Sequence, residues 1–119
     1  VTIVVLGHSL DLVWSASNKL EYDFTYAEII YFNQINNVSM KNVVKSVSKT
    51  KKLFCIEEIS NKGGLLEDCL KELSEISFKF DHLAINDFIH KYGSYKELAN
   101  SAGFSEKNII QKVKKLLKK

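Results

Sequence analysis

Two segments of the chain share one order of features: an apolar run, a short turn and an amphipathic helical pattern. The first segment starts with the largely β-branched run 1–6 and turns at Gly7-His8-Ser9. The second is Leu53-Phe54-Cys55-Ile56, which ends in Glu57-Glu58 and is followed by Gly63-Gly64. Continuous apolar runs are typical of strands buried on both faces, which pair in parallel beneath helices. Two such segments therefore predict an α/β sheet.

The rest of the sequence extends this alternation. The spacing predicts four strands, at Thr2–Leu6, around Ala27–Tyr31, at Leu53–Glu57 and at Phe78–Ile85. Helical stripes follow, the first comprising Leu10, Val13, Trp14, Ser17 and Leu20 and the last comprising Ile109, Ile110, Val113, Leu116 and Leu117. Ser39 and Ser105 are predicted helix caps, Gly63-Gly64 opens the third helix, and Ser94 starts a short helix with a capping box.

The predicted fold is a three-layer α/β/α sandwich around a mainly parallel four-stranded sheet, Rossmann-like, with strand order 2-1-3-4. In such sheets a ligand binds beyond the carboxyl ends of the strands, where the strand order reverses. That point lies between the first and third strands, so the candidate ligand-facing residues are His8, Ser9, Glu58, Gly63 and Gly64.

Length and charge exclude several classes of protein. A chain of 119 residues suits a single domain spanning 1–119, and its hydrophobic content of 45% argues against disorder. The net charge of +3 comes from lysines near the end, which we interpret as a solvated helix face. The chain has no arginine, the usual residue for bidentate phosphate and base contacts, so we expect no nucleic-acid partner. No apolar run is long enough to cross a membrane, and we expect a cytoplasmic protein.

Few residues point to catalysis or metal binding. No GxGxxG fingerprint or Walker motif occurs. Cys55 and Cys69 are predicted to be buried reduced thiols, and the spacing of His82 gives no metal motif with either. Glu57 and Glu58 should point to opposite sides of the strand end, which disfavours a paired-carboxylate site. We therefore predict no catalytic, cofactor-binding or metal-ligating residue in this chain.

The order of these motifs resembles the carboxyl-terminal domain of transketolase-type thiamine diphosphate enzymes. This superfamily includes transketolase, deoxyxylulose-phosphate synthase and the beta subunits of oxoacid dehydrogenases. The resemblance rests on the opening strand, on Leu53–Glu58 followed by Gly63-Gly64, and on the tail segments Tyr92–Leu98 and Ala102–Ser105. The tail is more similar to transketolases and deoxyxylulose-phosphate synthases than to dehydrogenase beta subunits.

The resemblance implies a non-catalytic structural and dimerisation domain of a larger enzyme. In the family, thiamine diphosphate and a divalent metal such as magnesium are held by other domains, so this chain is expected to bind neither by itself. Its expected partners are the other domains or a companion subunit of the parent enzyme, which is a homodimer. The chain is then a fragment or the C-terminal domain of a longer protein. The alternative from the residues alone is a stand-alone Rossmann-like module that binds a small anion or nucleotide.

Overall fold

Strands and helices alternate along the chain in the computed structural model, which describes residues 1–7, 10–32, 40–57, 64–84 and 105–119. Within these ranges the elements are β1 (Thr2–Leu6), α1 (Leu10–Glu21), β2 (Glu28–Phe32), α2 (Lys41–Thr50), β3 (Lys52–Glu57), α3 (Leu65–Glu72), β4 (Lys79–Ala84) and α4 (Glu106–Leu117). The predicted helix at Ser94 lies outside the described residues.

The four strands form one sheet in the order β2-β1-β3-β4, and each neighbouring pair is parallel. The predicted order and pairing are therefore confirmed. All five residues of β1 are buried, as are all residues of β3 after Lys52. These two strands lie at the centre of the sheet, which explains why their sequences are continuous apolar runs rather than alternating ones. The edge strand β2 is partly exposed along its length.

Helices cover both faces of the sheet and give the predicted three layers. On one face α1 and α4 pack on alternate residues of the central strands, in a core made of Ile3, Val5, Val13, Ala16, Leu20, Phe54, Ile56, Leu83, Ile109, Val113 and Leu116. On the other face α2 and α3 complete a second core, made of Val4, Leu6, Met40, Val43, Val47, Leu53, Cys55, Leu65, Cys69 and Leu73. The period-two alternation of β1 and β3 thus divides their side chains between two separate cores.

Three predictions about helix faces and caps were wrong. Trp14 is 61% exposed, because it follows Val13 in the buried stripe and so lies about 100° further round α1. Leu117 is 37% exposed, because it follows the buried Leu116 and so lies about 100° further round α4. The N-cap of α2 is Met40, which makes no side-chain cap, rather than Ser39, which is outside the described residues.

Polar contacts hold the helices in place. Thr2 Oγ1 lies 2.6 Å from Ser46 Oγ and 2.8 Å from Thr50 Oγ1, which links the first residue of β1 to α2. Ser105 caps α4 as predicted, since its Oγ accepts a hydrogen bond from the Asn108 N–H at 3.1 Å.

Two ion pairs join α4 to α1 and to the turn that follows it. Lys19 Nζ lies 2.7 Å from Glu106 Oε1, and Lys114 Nζ lies 2.6 Å from Asp23 Oδ2. Lys114, one of the terminal lysines, thus bonds an acid while remaining partly exposed. None of the helices in the described ranges combines the length and apolar character needed to span a bilayer.

Candidate functional site

The switch point between β1 and β3 is where the sequence predicts a ligand. At the end of β1, Gly7 adopts a φ of 109°, a backbone conformation that favours glycine, and this explains the glycine at the turn. Of the five predicted ligand-facing residues the structure describes only Gly64; His8, Ser9, Glu58 and Gly63 lie outside the described residues. Their role at this site stays a prediction.

Glu57 is the main polar group that the structure places at this edge of the sheet. Its position two residues after Cys55 directs it to the α2–α3 side, where the side chain is 1% exposed. Its Oε2 atom accepts a hydrogen bond from the Leu66 N–H at 3.1 Å. Leu66 is in the first turn of α3, whose N–H groups have no partner within the helix. A carboxylate here satisfies one of these donors and interacts favourably with the positive end of the helix dipole.

Gly64 makes this contact possible. It is the N-cap of α3 and lies in the extended region with a φ of −99°, which any residue can adopt. A side chain would not fit here, because a Cβ built on the Gly64 backbone would overlap Glu57 Oε1. The strand-ending glutamate and this glycine therefore form one structural unit, in which the carboxylate fills the place of a side chain and takes over the capping role.

His82 and Cys55 complete a buried cluster with Glu57. They are register partners on β4 and β3, which brings their side chains to the same face of the sheet. His82 Nε2 lies 3.3 Å from Glu57 Oε2, and Cys55 Sγ lies 3.8 Å from the same oxygen. The sequence spacing offered no reason to group His82 with a cysteine, and the structure brings it beside Cys55. The signal that could have found the cluster is strand register, since parallel β3 and β4 align these positions.

The cluster is incompletely hydrogen-bonded. Glu57 Oε1 and His82 Nε2 are buried without a hydrogen-bond partner among the described residues. The close approach of Nε2 to the carboxylate is therefore an electrostatic contact whose alignment does not make a hydrogen bond. Leaving such groups unsatisfied costs about 1–3 kcal/mol each, so the cluster is held in place by the surrounding fold.

Both cysteines are buried and free, as predicted. Burial raises the pKa of the Cys55 thiol well above its usual value, and the neighbouring Cys69 and Glu57 raise it further. Burial, with smaller effects from Asp68 and Glu57, raises the pKa of Cys69 to about 12. Both thiols are therefore protonated at neutral pH, and without a further cation neither is an activated nucleophile.

Among the described residues at this edge of the sheet, Glu57 and Gly64 serve packing and helix capping. The carboxylate of Glu57 already occupies a first-turn N–H of α3, where an external anion would otherwise bind. The start of α1, the other helix at the switch point, follows His8 and Ser9 and lies next to residues that the structure does not describe.

The sequence matches the transketolase C-terminal domain family over residues 1–109. A split-gene transketolase, solved as an inactive β4 tetramer, superposes with a TM-score of 0.86 at 24% identity, covering 98% of this chain and 39% of that one. Transketolase from Campylobacter jejuni subsp. jejuni NCTC 11168 superposes with a TM-score of 0.62 at 18% identity, covering 94% of this chain and 16% of that one. At these identities the two likenesses show the fold alone. The chain spans well under half the length of either enzyme chain. No curated protein sequence shows significant similarity to it.

Proposed function

Because the chain belongs to the transketolase C-terminal domain family, we propose that it is a non-catalytic domain of a thiamine diphosphate-dependent, transketolase-like enzyme. In this proposal the domain spans 1–119, packs against the catalytic domains and extends the dimer interface of the parent enzyme. The reaction is ketol transfer or the related synthesis of deoxyxylulose phosphate. The parent enzyme uses thiamine diphosphate and a divalent metal such as magnesium, held outside this domain.

The proposal rests on one observation, the role of the Glu57 carboxylate at the end of β3. Glu57 is buried and its Oε2 accepts a hydrogen bond from the chain's own helix α3, so the carboxylate is not exposed to a molecule of the size of thiamine diphosphate. A domain that bound the cofactor would need polar groups free to meet it. In this proposal the cofactor machinery lies in a part of the parent enzyme with no counterpart in this chain, which matches 39% of a split-gene transketolase chain.

Exposed aromatic side chains support a packing role. Tyr22 and Phe24 are 85% and 83% exposed, and Tyr26 is 64% exposed, within one short segment between α1 and β2. Phe24 also has a φ of 59°, an uncommon conformation for an aromatic residue that costs about 1–2 kcal/mol. Exposed apolar side chains grouped on one surface are typical of contacts with another domain or subunit. The free thiols fit a reducing compartment, which agrees with a cytoplasmic enzyme.

Reconstitution tests the proposal. Ketol transfer is assayed with the chain alone, with the thiamine diphosphate-binding domains of the same enzyme alone, and with both together. We expect activity in the third assay at a level well above the second, and none in the first. Ketol transfer by the chain alone, or full activity of the other domains without it, would contradict the proposal.

A further inference from the structure

The buried cluster of Cys55, Glu57 and His82 offers three different donor types at one point. One thiol sulfur, one carboxylate oxygen and one imidazole nitrogen all lie within 4.8 Å of one another. The nitrogen-to-oxygen distance is 3.3 Å and the sulfur-to-oxygen distance is 3.8 Å. Ligands about 2.0–2.3 Å from a tetrahedral zinc ion are separated by similar distances. The three side chains are therefore already close to the spacing that a single cation requires.

Two atoms of this cluster lack a hydrogen-bond partner among the described residues. Glu57 is 1% exposed, and its Oε1 has no hydrogen-bond partner among those residues. His82 Nε2 also has no hydrogen-bond partner among those residues. A cation bound among the three donors would satisfy the nitrogen directly and neutralise the buried carboxylate, while Oε2 could keep its bond to the Leu66 N–H through its second lone pair.

We propose that Cys55, Glu57 and His82 form a binding site for a divalent transition-metal ion of the zinc type. A sulfur, a nitrogen and an oxygen donor together suit zinc, whereas magnesium and calcium take oxygen ligands. Three protein ligands leave the fourth position of a tetrahedral ion to water, the arrangement of an open zinc site. The His82 side chain, 19% exposed, is the part of the cluster nearest to solvent. This site is independent of the function proposed above.

Cobalt(II), a spectroscopic substitute for zinc, tests the proposal on the full 119-residue chain. We expect one equivalent of Co²⁺ to produce a thiolate-to-metal charge-transfer band, and one equivalent of Zn²⁺ to abolish it. Chelator competition then gives the zinc affinity. The absence of this band when Co²⁺ is added to the unsubstituted chain overturns the proposal.

Two cysteine variants test whether Cys55 is the sulfur ligand. Cys55→Ser should lose the charge-transfer band, while the control Cys69→Ser should keep it, because Cys69 is an equally buried thiol in the same core but is not one of the three donors. Circular dichroism checks that each variant is folded. A band that persists in folded Cys55→Ser, or disappears in folded Cys69→Ser, overturns the assignment.

His82→Gln keeps the proposal testable if Cys55→Ser does not fold, because His82 is partly exposed. Loss of a direct ligand should weaken zinc affinity by more than the roughly 10–100-fold that loss of an outer-sphere partner costs. Unchanged zinc affinity in folded His82→Gln contradicts the site.

Discussion

Gly64 and Glu57 show how single atoms set the sequence at the end of β3. The backbone of Gly64 needs no glycine, but its missing side chain leaves room for the Glu57 carboxylate. The carboxylate in turn bonds the Leu66 N–H and starts α3. The conformational explanation for a glycine applies instead at Gly7, where φ is positive.

Gly64→Val should lower the free energy of unfolding by about 1–3 kcal/mol, the range for overpacking a buried position. The new side chain would displace the Glu57 carboxylate from the Leu66 N–H. Urea unfolding measures the effect. In a double-mutant cycle with Glu57→Ala the two losses should not add, since Glu57→Ala removes the atoms that the introduced valine side chain would meet. Additive losses, or an unchanged midpoint for Gly64→Val, would show that the two residues do not act as a unit.

Lys51 adopts a backbone conformation that residues other than glycine rarely take. It ends α2 in the left-handed region with a φ of 60°, and its N–H bonds the Val47 carbonyl at 2.8 Å. Glycine is the favoured residue at such a cap. Lys51→Gly should raise the free energy of unfolding by about 0.5–1 kcal/mol. Glycine avoids the cost of the left-handed conformation, and the greater conformational entropy of the unfolded variant offsets part of this gain.

The matched control for this change is Lys49→Gly, an exposed position two residues earlier in α2. Glycine there should cost about 1 kcal/mol, since it lies within the helix. Thermal unfolding of both variants gives the comparison. Destabilisation by Lys51→Gly equal to that of Lys49→Gly would rule out the left-handed cap.

At the scale of elements, β1 and α2 are joined by a network of hydroxyl groups as well as by apolar packing. Thr2 is fully buried and lies within hydrogen-bond distance of both Ser46 and Thr50. Threonine and valine have nearly the same shape, so Thr2→Val removes these bonds through the loss of the hydroxyl and leaves the packed volume almost unchanged.

We expect Thr2→Val to cost about 1–3 kcal/mol, because it leaves the buried Ser46 hydroxyl without its partner. Ser48→Ala is the control. It removes an exposed hydroxyl from the same helix, one that donates to the Val44 carbonyl, and should change stability by less than about 0.5 kcal/mol. Chemical unfolding of both variants decides the matter; equal effects would mean that the buried network contributes nothing specific.

The elements themselves could largely be predicted from sequence, because their causes are local. Runs such as Thr2–Leu6 and Leu53–Glu57 signal central strands, and the Ser105 cap follows from its side chain. The grouping of Cys55 with His82 depends on the register between two strands far apart in the chain, which periodicity does not encode. The capping role of Glu57 likewise depends on a contact with Leu66 on α3, which periodicity does not encode.

At the scale of the molecule, the described residues form a core on each face of the sheet and leave several aromatic side chains exposed. Both faces of the central strands are covered by helices. The most exposed aromatic side chains of one segment are Tyr22, Phe24 and Tyr26, and Trp14, Tyr31 and Phe80 are exposed elsewhere on the described surface. A stable specific interface usually buries about 1,200–2,000 Å² in total, more than such a segment provides.

We therefore expect the isolated chain to be a monomer or a weak dimer in dilute solution. The catalytic domains of the parent enzyme would supply most of the dimer contact. Sedimentation equilibrium from micromolar to millimolar protein measures this. A dimer that persists below micromolar concentration would show that this domain dominates assembly.

The central claim is that this chain is a non-catalytic domain whose cofactor is held elsewhere in the enzyme. Isothermal titration calorimetry of the chain with thiamine diphosphate and magnesium tests it most directly. We predict no measurable binding heat, because the strand-end carboxylate Glu57 is committed to α3. A dissociation constant in the micromolar range would contradict the account.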